Sequence, residues 1–228
     1  MHVTLPVSDG SSMQAFVALP EGKGPFAGLL LFQEAYGING HIRRVASRLA
    51  SEGFVVIAPE LFHRTAPPGW ESPYGDFSAV APHFQAITLE GLSADCKAAH
   101  AWLSGQVDFK RIGSIGFCLG GRVSFIANAV LPLAVGVSYY GGYLDQVAHL
   151  APQLSGPHLF AWGGLDKHIP HAVRNTVTSA CEAAGKSYAS LLFSYADHAF
   201  NCDDRPNFNA DASREAWALS MAFLRNRL

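Results

Sequence analysis

The segment from Gly116 to Gly121 constrains the fold of this chain more than any other. It reads Gly-Phe-Cys-Leu-Gly-Gly, follows the apolar run Arg111–Ile115 and precedes a helix-like run. Glycines at this spacing permit a sharp connection from strand to helix, in which one side chain is held in strained geometry at the top of a sheet. The pattern predicts that Cys118 occupies such a nucleophile elbow, where serine is the usual residue, and it indicates acyl transfer by a thiolate.

The rest of the chain alternates strand-like and helix-like segments. Apolar runs that predict strands are His2–Val7, Met13–Leu19, Ala27–Phe32, Phe54–Ala58, Arg111–Ile115, Ala134–Tyr139, His158–Trp162 and Ala189–Ser194. Helical spacing is found around Ile42–Ala50 and over Ser78–Ser104 with a break near Thr88–Gly91, and also over Gly120–Asn128, His171–Ala184 and Asp211–Arg227. A long loop is expected from Pro59 to Phe77. Such alternation predicts βαβ units and a mostly parallel sheet.

Length and composition limit the class of protein. The 228 residues are 49% hydrophobic with a formal net charge of −2, which suits one α/β domain over residues 1–228 and disfavours nucleic-acid binding. No apolar stretch approaches the roughly 20 residues of a membrane helix, and the N-terminus does not resemble a signal peptide. Four cysteines without C-x-x-C spacing predict a reducing, cytoplasmic location. A monomer is the default expectation.

Two further residues complete a candidate catalytic set. A cysteine with an ordinary pKa of about 8.5 is mostly a thiol at neutral pH, so it requires a base, and a carboxylate normally orients that base. Asp166 follows the strand-like run His158–Trp162, and His198 follows Ala189–Ser194. Nucleophile, acid and histidine occur in this order in nucleophile-elbow folds. Asp197 is a competing candidate for the acid.

Five segments together resemble the dienelactone hydrolase family (carboxymethylenebutenolidases), a branch of the α/β-hydrolase superfamily. They span nearly the whole chain and are Gln33–Asn39, Ala58–Phe62, Gly116–Gly121, Gly163–Asp166 with Ile169–Pro170, and His198–Phe200. The resemblance implies an α/β-hydrolase fold, with a mostly parallel central sheet and helices on both faces. It also implies hydrolysis of a small-molecule carboxylic ester or lactone, with no cofactor.

The resemblance implies specific roles for several residues. Cys118, His198 and Asp166 would form a Cys-His-Asp triad, and Glu34 would exchange a proton with the cysteine. The backbone N–H groups of Leu119 and Ala35 would form the oxyanion hole.

The expected substrate contacts depart from the family pattern. The family's best-known members bind a substrate carboxylate with two arginines, but here no arginine lies between Arg64 and Arg111, and the position four past His198 is Cys202. Arg64 and Arg205 are the arginines that could reach the site from loops. Nearby aromatic residues predict an apolar pocket for a small or aromatic ester. The predicted substrate-binding residues are Tyr36, Arg64, Tyr74 and Phe200.

Three alternatives remain at the level of sequence. The missing arginines favour a general short-chain carboxylesterase or thioesterase of the same fold. A non-enzymatic redox sensor would also use a reactive Cys118. A metal site at Asp166, His168 and His171 is disfavoured, because Pro170 interrupts any helix between the two histidines.

Overall fold

A mostly parallel sheet forms the centre of the molecule. The computed structural model describes residues 1–108 and 111–228, and in these residues the strands are β1 (His2–Pro6), β2 (Ser12–Ala18), β3 (Ala27–Phe32), β4 (Phe54–Pro59), β5 (Ile112–Phe117), β6 (Val135–Tyr139), β7 (His158–Gly163) and β8 (Tyr188–Phe193). Their order across the sheet is β1-β2-β4-β3-β5-β6-β7-β8. The first two pairings, β1 with β2 and β2 with β4, are antiparallel, and the other pairings are parallel.

Helices cover the sheet. The α-helices in the described residues are α1 (Gly40–Ser51), α2 (Phe77–Gln85), α3 (Leu89–Ser104), α4 (Leu119–Val130), α5 (His171–Ala183) and α6 (Ala210–Arg225), and a 3₁₀ helix spans Leu144–Gln153. One group consists of α3, α4, the 3₁₀ helix and α5, which pack in succession. The other consists of α1 and α6, where the Arg48 guanidinium lies 3.7 Å from the Trp217 ring centroid.

The apolar runs became strands because burial on both faces suits them. Every residue of β3, β4, β5, β6 and β7 is buried. A strand covered by helices on both faces requires a continuous apolar run rather than an alternating one. The continuous runs in the sequence therefore predicted the central strands correctly.

Local capping determines where several helices begin. The Asn39 side chain accepts a hydrogen bond from the Ile42 N–H at the start of α1, and the Thr88 hydroxyl accepts one from the Gly91 N–H at the start of α3. Thr88 therefore marks the break in the predicted helical segment Ser78–Ser104. The 3₁₀ helix was not predicted, although its buried residues Leu144, Val147, Ala148 and Ala151 recur at helical spacing, which could have indicated it.

The carboxyl ends of five strands meet at one edge of the sheet. Glu34 follows β3, Cys118 follows β5, Tyr140 follows β6, Asp166 follows β7 and His198 follows β8. In open α/β sheets this edge is where ligands bind.

Candidate active site

Cys118 occupies a strained turn between β5 and α4. Its backbone has φ 54° and ψ −114°, a conformation that residues other than glycine rarely adopt. Its N–H donates to the Tyr139 carbonyl at 3.0 Å, which ties the turn to β6. The side chain is partly exposed, whereas the other three cysteines are buried. The turn therefore presents one thiol at the edge of the sheet.

The flanking glycines are required by close backbone contacts. A Cβ atom on Gly116 would overlap the carbonyl oxygen of Gly120. A Cβ atom on Gly120 would overlap the carbonyl oxygen of Phe32, at the end of β3. The absence of these Cβ atoms lets the start of α4 lie directly against the end of β3, so the residues after both strands share one site.

Asp166 orients His198. The His198 Nδ1 lies 2.7 Å from Oδ2 of Asp166, whose side chain is fully buried. The other carboxylate oxygen accepts hydrogen bonds from the N–H groups of His168 and Ile169 at 2.8 and 3.2 Å. Asp197 instead accepts a hydrogen bond from the His198 backbone N–H at 2.6 Å. Asp166, rather than Asp197, is thus the carboxylate that the structure places on the imidazole.

The His198 ring connects Asp166 to Cys118. Burial by itself lowers the pKa of His198, but the negative charge of the Cys118 sulfur and the hydrogen bonds to Asp166 and Cys118 outweigh it and raise the pKa to about 10. Because Nδ1 faces Asp166, Nε2 is the ring nitrogen available to Cys118. Sulfur, imidazole and carboxylate thus form a continuous chain of hydrogen-bonding groups.

Glu34 is a buried carboxylate with one unused oxygen. It is fully buried, and the Tyr74 hydroxyl donates to its Oε2 at 2.9 Å. The Cys202 thiol in turn donates to the Tyr74 oxygen at 3.2 Å. Oε1 of Glu34 has no hydrogen-bond partner within the described part of the chain. A buried oxygen without a partner is costly, so this atom is available for a proton or a ligand.

Ala35 and Leu119, the predicted oxyanion-hole donors, both lie just after strands that end beside each other. Leu119 is the first residue of α4, so its N–H has no acceptor within the helix. Ala35 comes directly after Glu34 and lies in the same segment beyond β3. Both residues are almost fully buried. The structure brings both predicted donors to the edge of the sheet that carries Cys118.

Arg205 is the loop arginine that lies by the site. Its Cζ is 5.5 Å from the Tyr74 ring centroid and 5.8 Å from that of Tyr36. Burial lowers the pKa of Arg205, but the charge of Glu34, followed by smaller effects that include Cys118, raises it overall. These electrostatic effects show that the guanidinium lies near Glu34 and Cys118.

Arg64 is held elsewhere. Its terminal nitrogens donate to both oxygens of Asp95 at 2.8 and 2.9 Å, and its Nε donates to Asp9 at 2.7 Å. Asp95 is fully buried on α3, and a buried carboxylate requires a charged partner, which Arg64 supplies. The structure does not bring Arg64, predicted to bind substrate, to the site.

The other predicted substrate contacts divide into two groups. Tyr36 and Tyr74 lie beside Glu34 with their ring centroids 4.9 Å apart. Phe200, in contrast, is fully buried, with its ring 5.2 Å from Tyr140 and 5.5 Å from Phe193. Phe200 packs beneath the site as a core residue and presents no surface to a substrate.

Two residues of this region were not predicted. Arg122 lies four positions after Cys118 on α4, and its buried Nε has no hydrogen-bond partner within residues 1–108 and 111–228. The spacing of four could have indicated it, since residues i and i+4 share one helix face. Tyr140 has a ring centroid 5.2 Å from His198, and its buried hydroxyl also lacks a partner among the described residues. No local pattern points to Tyr140, because its position depends on the pairing of β6.

Metal-binding clusters and membrane-spanning helices are both absent from the described residues. In the described residues, no group of three or more histidine, cysteine or acidic side chains has an arrangement that could hold a metal ion. None of the described helices has the length and apolar character needed to cross a membrane.

Known proteins resemble this chain over most of its length. The model of the dienelactone hydrolase family matches residues 13–228. The "Putative carboxymethylenebutenolidase" of Methylorubrum extorquens is 33% identical, over 95% of this chain and 77% of the relative. The carboxymethylenebutenolidase of Pseudomonas putida is 28% identical, over 77% of this chain and 75% of the relative.

A solved structure shows the same architecture. The crystal structure of a "Putative Dienelactone Hydrolase" from Klebsiella pneumoniae superposes with a TM-score of 0.88 at 28% identity, covering 99% of this chain and 98% of the other. The predicted fold class, a mostly parallel sheet with covering helices as in α/β hydrolases, is therefore confirmed.

Proposed function

The chain belongs to the dienelactone hydrolase family and is a hydrolase of that type, and from this premise we propose that it cleaves a carboxylic ester or lactone through Cys118, His198 and Asp166. The observation that carries the proposal is the continuous chain from the Cys118 sulfur through His198 to Asp166, whose Oδ2 lies 2.7 Å from Nδ1. A strained turn that presents a partly exposed thiol to a buried base is suited to nucleophilic catalysis.

Acylation begins with the Cys118 thiolate attacking the carbonyl carbon, while protonated His198 holds on Nε2 the proton that it later gives to the leaving group. The carbonyl π electrons move to oxygen, and the amides of Leu119 and Ala35 stabilise the resulting oxyanion. When the intermediate collapses, the carbon–oxygen bond breaks and Nε2 of His198 gives its proton to the leaving alkoxide. The products are an alcohol, or the freed hydroxyl of an opened lactone, and a thioester on Cys118.

Deacylation uses the same residues in reverse. Neutral His198 accepts a proton from water as the water oxygen attacks the thioester carbonyl. Collapse of the second tetrahedral intermediate breaks the carbon–sulfur bond, releases the acid and restores the thiolate beside protonated His198. Asp166 stabilises the imidazolium in both steps through Nδ1.

Glu34 and Arg205 refine the proposal. The unpartnered Oε1 of Glu34 supports a role in accepting the thiol proton, as in the family. Arg205 adds a cation at the same end of the sheet, where its guanidinium lies beside Tyr36 and Tyr74, and a cation there favours a negatively charged substrate. It would thus supply a cation that the family provides from other positions.

The test is steady-state hydrolysis of phenyl acetate and of dienelactone by wild type and by Cys118→Ala. We expect the variant to lose about 10³-fold or more in kcat, as for other enzymes that lose a nucleophile. Cys181→Ala is the matched control, because Cys181 is a buried thiol on α5. Near-wild-type turnover by Cys118→Ala would refute the mechanism, and a single stoichiometric reaction of wild type without turnover would favour a redox sensor.

A further inference from the structure

A groove beside the candidate active site contains an arginine that forms no ion pair with any residue in the described part of the chain. The groove lies between α2 and the start of the 3₁₀ helix, and its volume of about 400 Å³ is within the range of small-molecule sites, roughly 300–1,000 Å³. Arg122 lines it together with Phe77, Phe84 and Tyr143. The proposed nucleophile, Cys118, lies one helical turn before Arg122, so the groove adjoins the site.

Two aromatic rings lie close to the Arg122 guanidinium. Its Cζ lies 5.5 Å from the Phe84 ring centroid and 5.8 Å from that of Tyr143, within the range of cation–π contacts. A guanidinium has five N–H donors in its plane, and a cation–π contact provides none of them with an oxygen acceptor. Nε of Arg122 is buried and has no partner among the residues that the structure describes.

The surroundings of Arg122 favour an anion. Burial lowers the pKa of Arg122, whereas the negative charges of Cys118 and Tyr143, when ionised, raise it. The cation is thus partly desolvated, and it gains most from a ligand that carries a negative charge and hydrogen-bond acceptors. A carboxylate provides both in a planar shape that matches the guanidinium.

The groove also favours an aromatic ring. Phe77 and Tyr143 are 52% and 54% exposed, and together with Phe84 they give the groove an aromatic wall that a ligand ring can contact. The ring centroids of Phe84 and Tyr143 lie 5.9 Å apart, and those of Phe77 and Phe84 6.0 Å apart. Tyr143 has φ 57°, and strained backbone of this kind clusters at ligand sites.

We infer that Arg122, Phe84 and Tyr143 form a binding site for an aryl carboxylate, which is part of the ester or lactone substrate. This inference rests on the proposed hydrolysis at Cys118 and adds the substrate class. The carboxylate binds the N–H edge of Arg122 while the ring packs on the aromatic side chains. Arg205 lies instead beside Glu34, Tyr36 and Tyr74, so the two arginines form separate cationic positions near Cys118.

The test is the binding of benzoate and benzamide to Cys118→Ala, measured by isothermal titration calorimetry. The two probes have the same size and differ in charge. We expect benzoate to bind about tenfold more tightly or better, as removal of one charge-assisted hydrogen-bonded pair implies. Adding Arg122→Met abolishes this preference, and adding Arg122→Lys retains part of it. Arg214→Met is the control for net charge, because Arg214 is exposed on α6.

Inhibition of phenyl acetate hydrolysis supplies a second readout. In wild type, benzoate competes with the ester more strongly than benzamide does, and Arg122→Met removes the difference. A preference for benzoate that depends on Arg205→Met but not on Arg122→Met overturns the inference, as does the absence of any preference. If no ester is turned over, the proposed function fails. The calorimetry on Cys118→Ala still shows whether Arg122 binds an anion, because it does not require turnover.

Discussion

Individual residues with strained backbone concentrate around Cys118. Within the described residues, the non-glycine residues with positive φ are Cys118, Tyr140, Tyr143 and Ala199. Cys118 belongs to the candidate site and Tyr143 lines the groove beside it, whereas Tyr140 and Ala199 lie next to His198. Such conformations cost about 1–3 kcal/mol each and persist where the surrounding structure enforces them. The strain is therefore concentrated at the position where the thiol must be presented.

A first prediction concerns the hydroxyl of Tyr140. This buried group has no partner among the described residues, so Tyr140→Phe removes an unsatisfied polar atom and should stabilise the protein by about 1 kcal/mol. For a chain of this length the melting temperature should rise by about 2–4 °C, measured by circular dichroism.

The neighbouring tyrosine is the matched control. The Tyr139 hydroxyl lies 2.9 Å from the Ser220 hydroxyl, so Tyr139→Phe should lower the melting temperature. An equal loss of stability in both variants would show that Tyr140 has a partner.

At the level of secondary-structure elements, a polar cluster joins α4, β6 and β7. His158 begins β7, with Nδ1 3.1 Å from the Asn128 amide and Nε2 2.8 Å from the Ser138 hydroxyl. Phe125 and Phe160 pack on its ring. None of these neighbours carries a charge that would compensate a protonated ring, and burial lowers the pKa of His158 to about 3.

A second prediction follows for the pH dependence of stability. Above pH 6.5, His158 is neutral in both the folded and the unfolded protein and has no effect. As the pH falls from about 6.5 towards 3, only the unfolded chain binds the proton, so stability falls by up to about 1.4 kcal/mol per pH unit. In urea titrations between pH 7.5 and 4.5, the free energy of unfolding of His158→Gln should not show this fall.

An exposed histidine provides the comparison. His2→Gln, on β1, should show the same pH dependence as wild type. If His158→Gln and wild type lose stability in parallel below pH 6.5, the imidazole is not buried in its neutral form.

At the scale of the whole molecule, one ionic cluster connects three distant segments. Arg64 binds Asp95 on α3 and Asp9 in the β1–β2 turn, and His63 Nε2 lies 3.0 Å from Asp95. The cluster anchors the start of the long segment that carries Tyr74. The main apolar core extends from Leu5 to Leu224, which supports our proposal that residues 1–228 fold as one unit. The monomeric state stays a prediction.

A third prediction concerns this cluster. Asp95→Asn should destabilise the protein by about 1–3 kcal/mol, because it removes a buried charge that two partners require, and partial exposure of Arg64 limits the loss. Urea unfolding measures the change, and a single cooperative wild-type transition in the same experiment tests the proposed single unit. Asp211→Asn, in an exposed pair on α6, should change stability by less than about 0.5 kcal/mol. Equal effects would contradict the anchoring role of Asp95.

Sequence alone determined the succession of strands and α-helices along the chain, the strained turn at Cys118 and the candidate residues after each strand. These features depend on local properties, namely apolar runs, capping side chains and glycines where no Cβ fits. Tertiary structure decided which partners meet: Asp166 rather than Asp197 on the His198 ring, Arg205 rather than Arg64 by the site, and Arg122 in the aromatic groove. Long side chains reach across several loops, so their pairing depends on strand order and on which buried charge competes for them, and no local pattern encodes either.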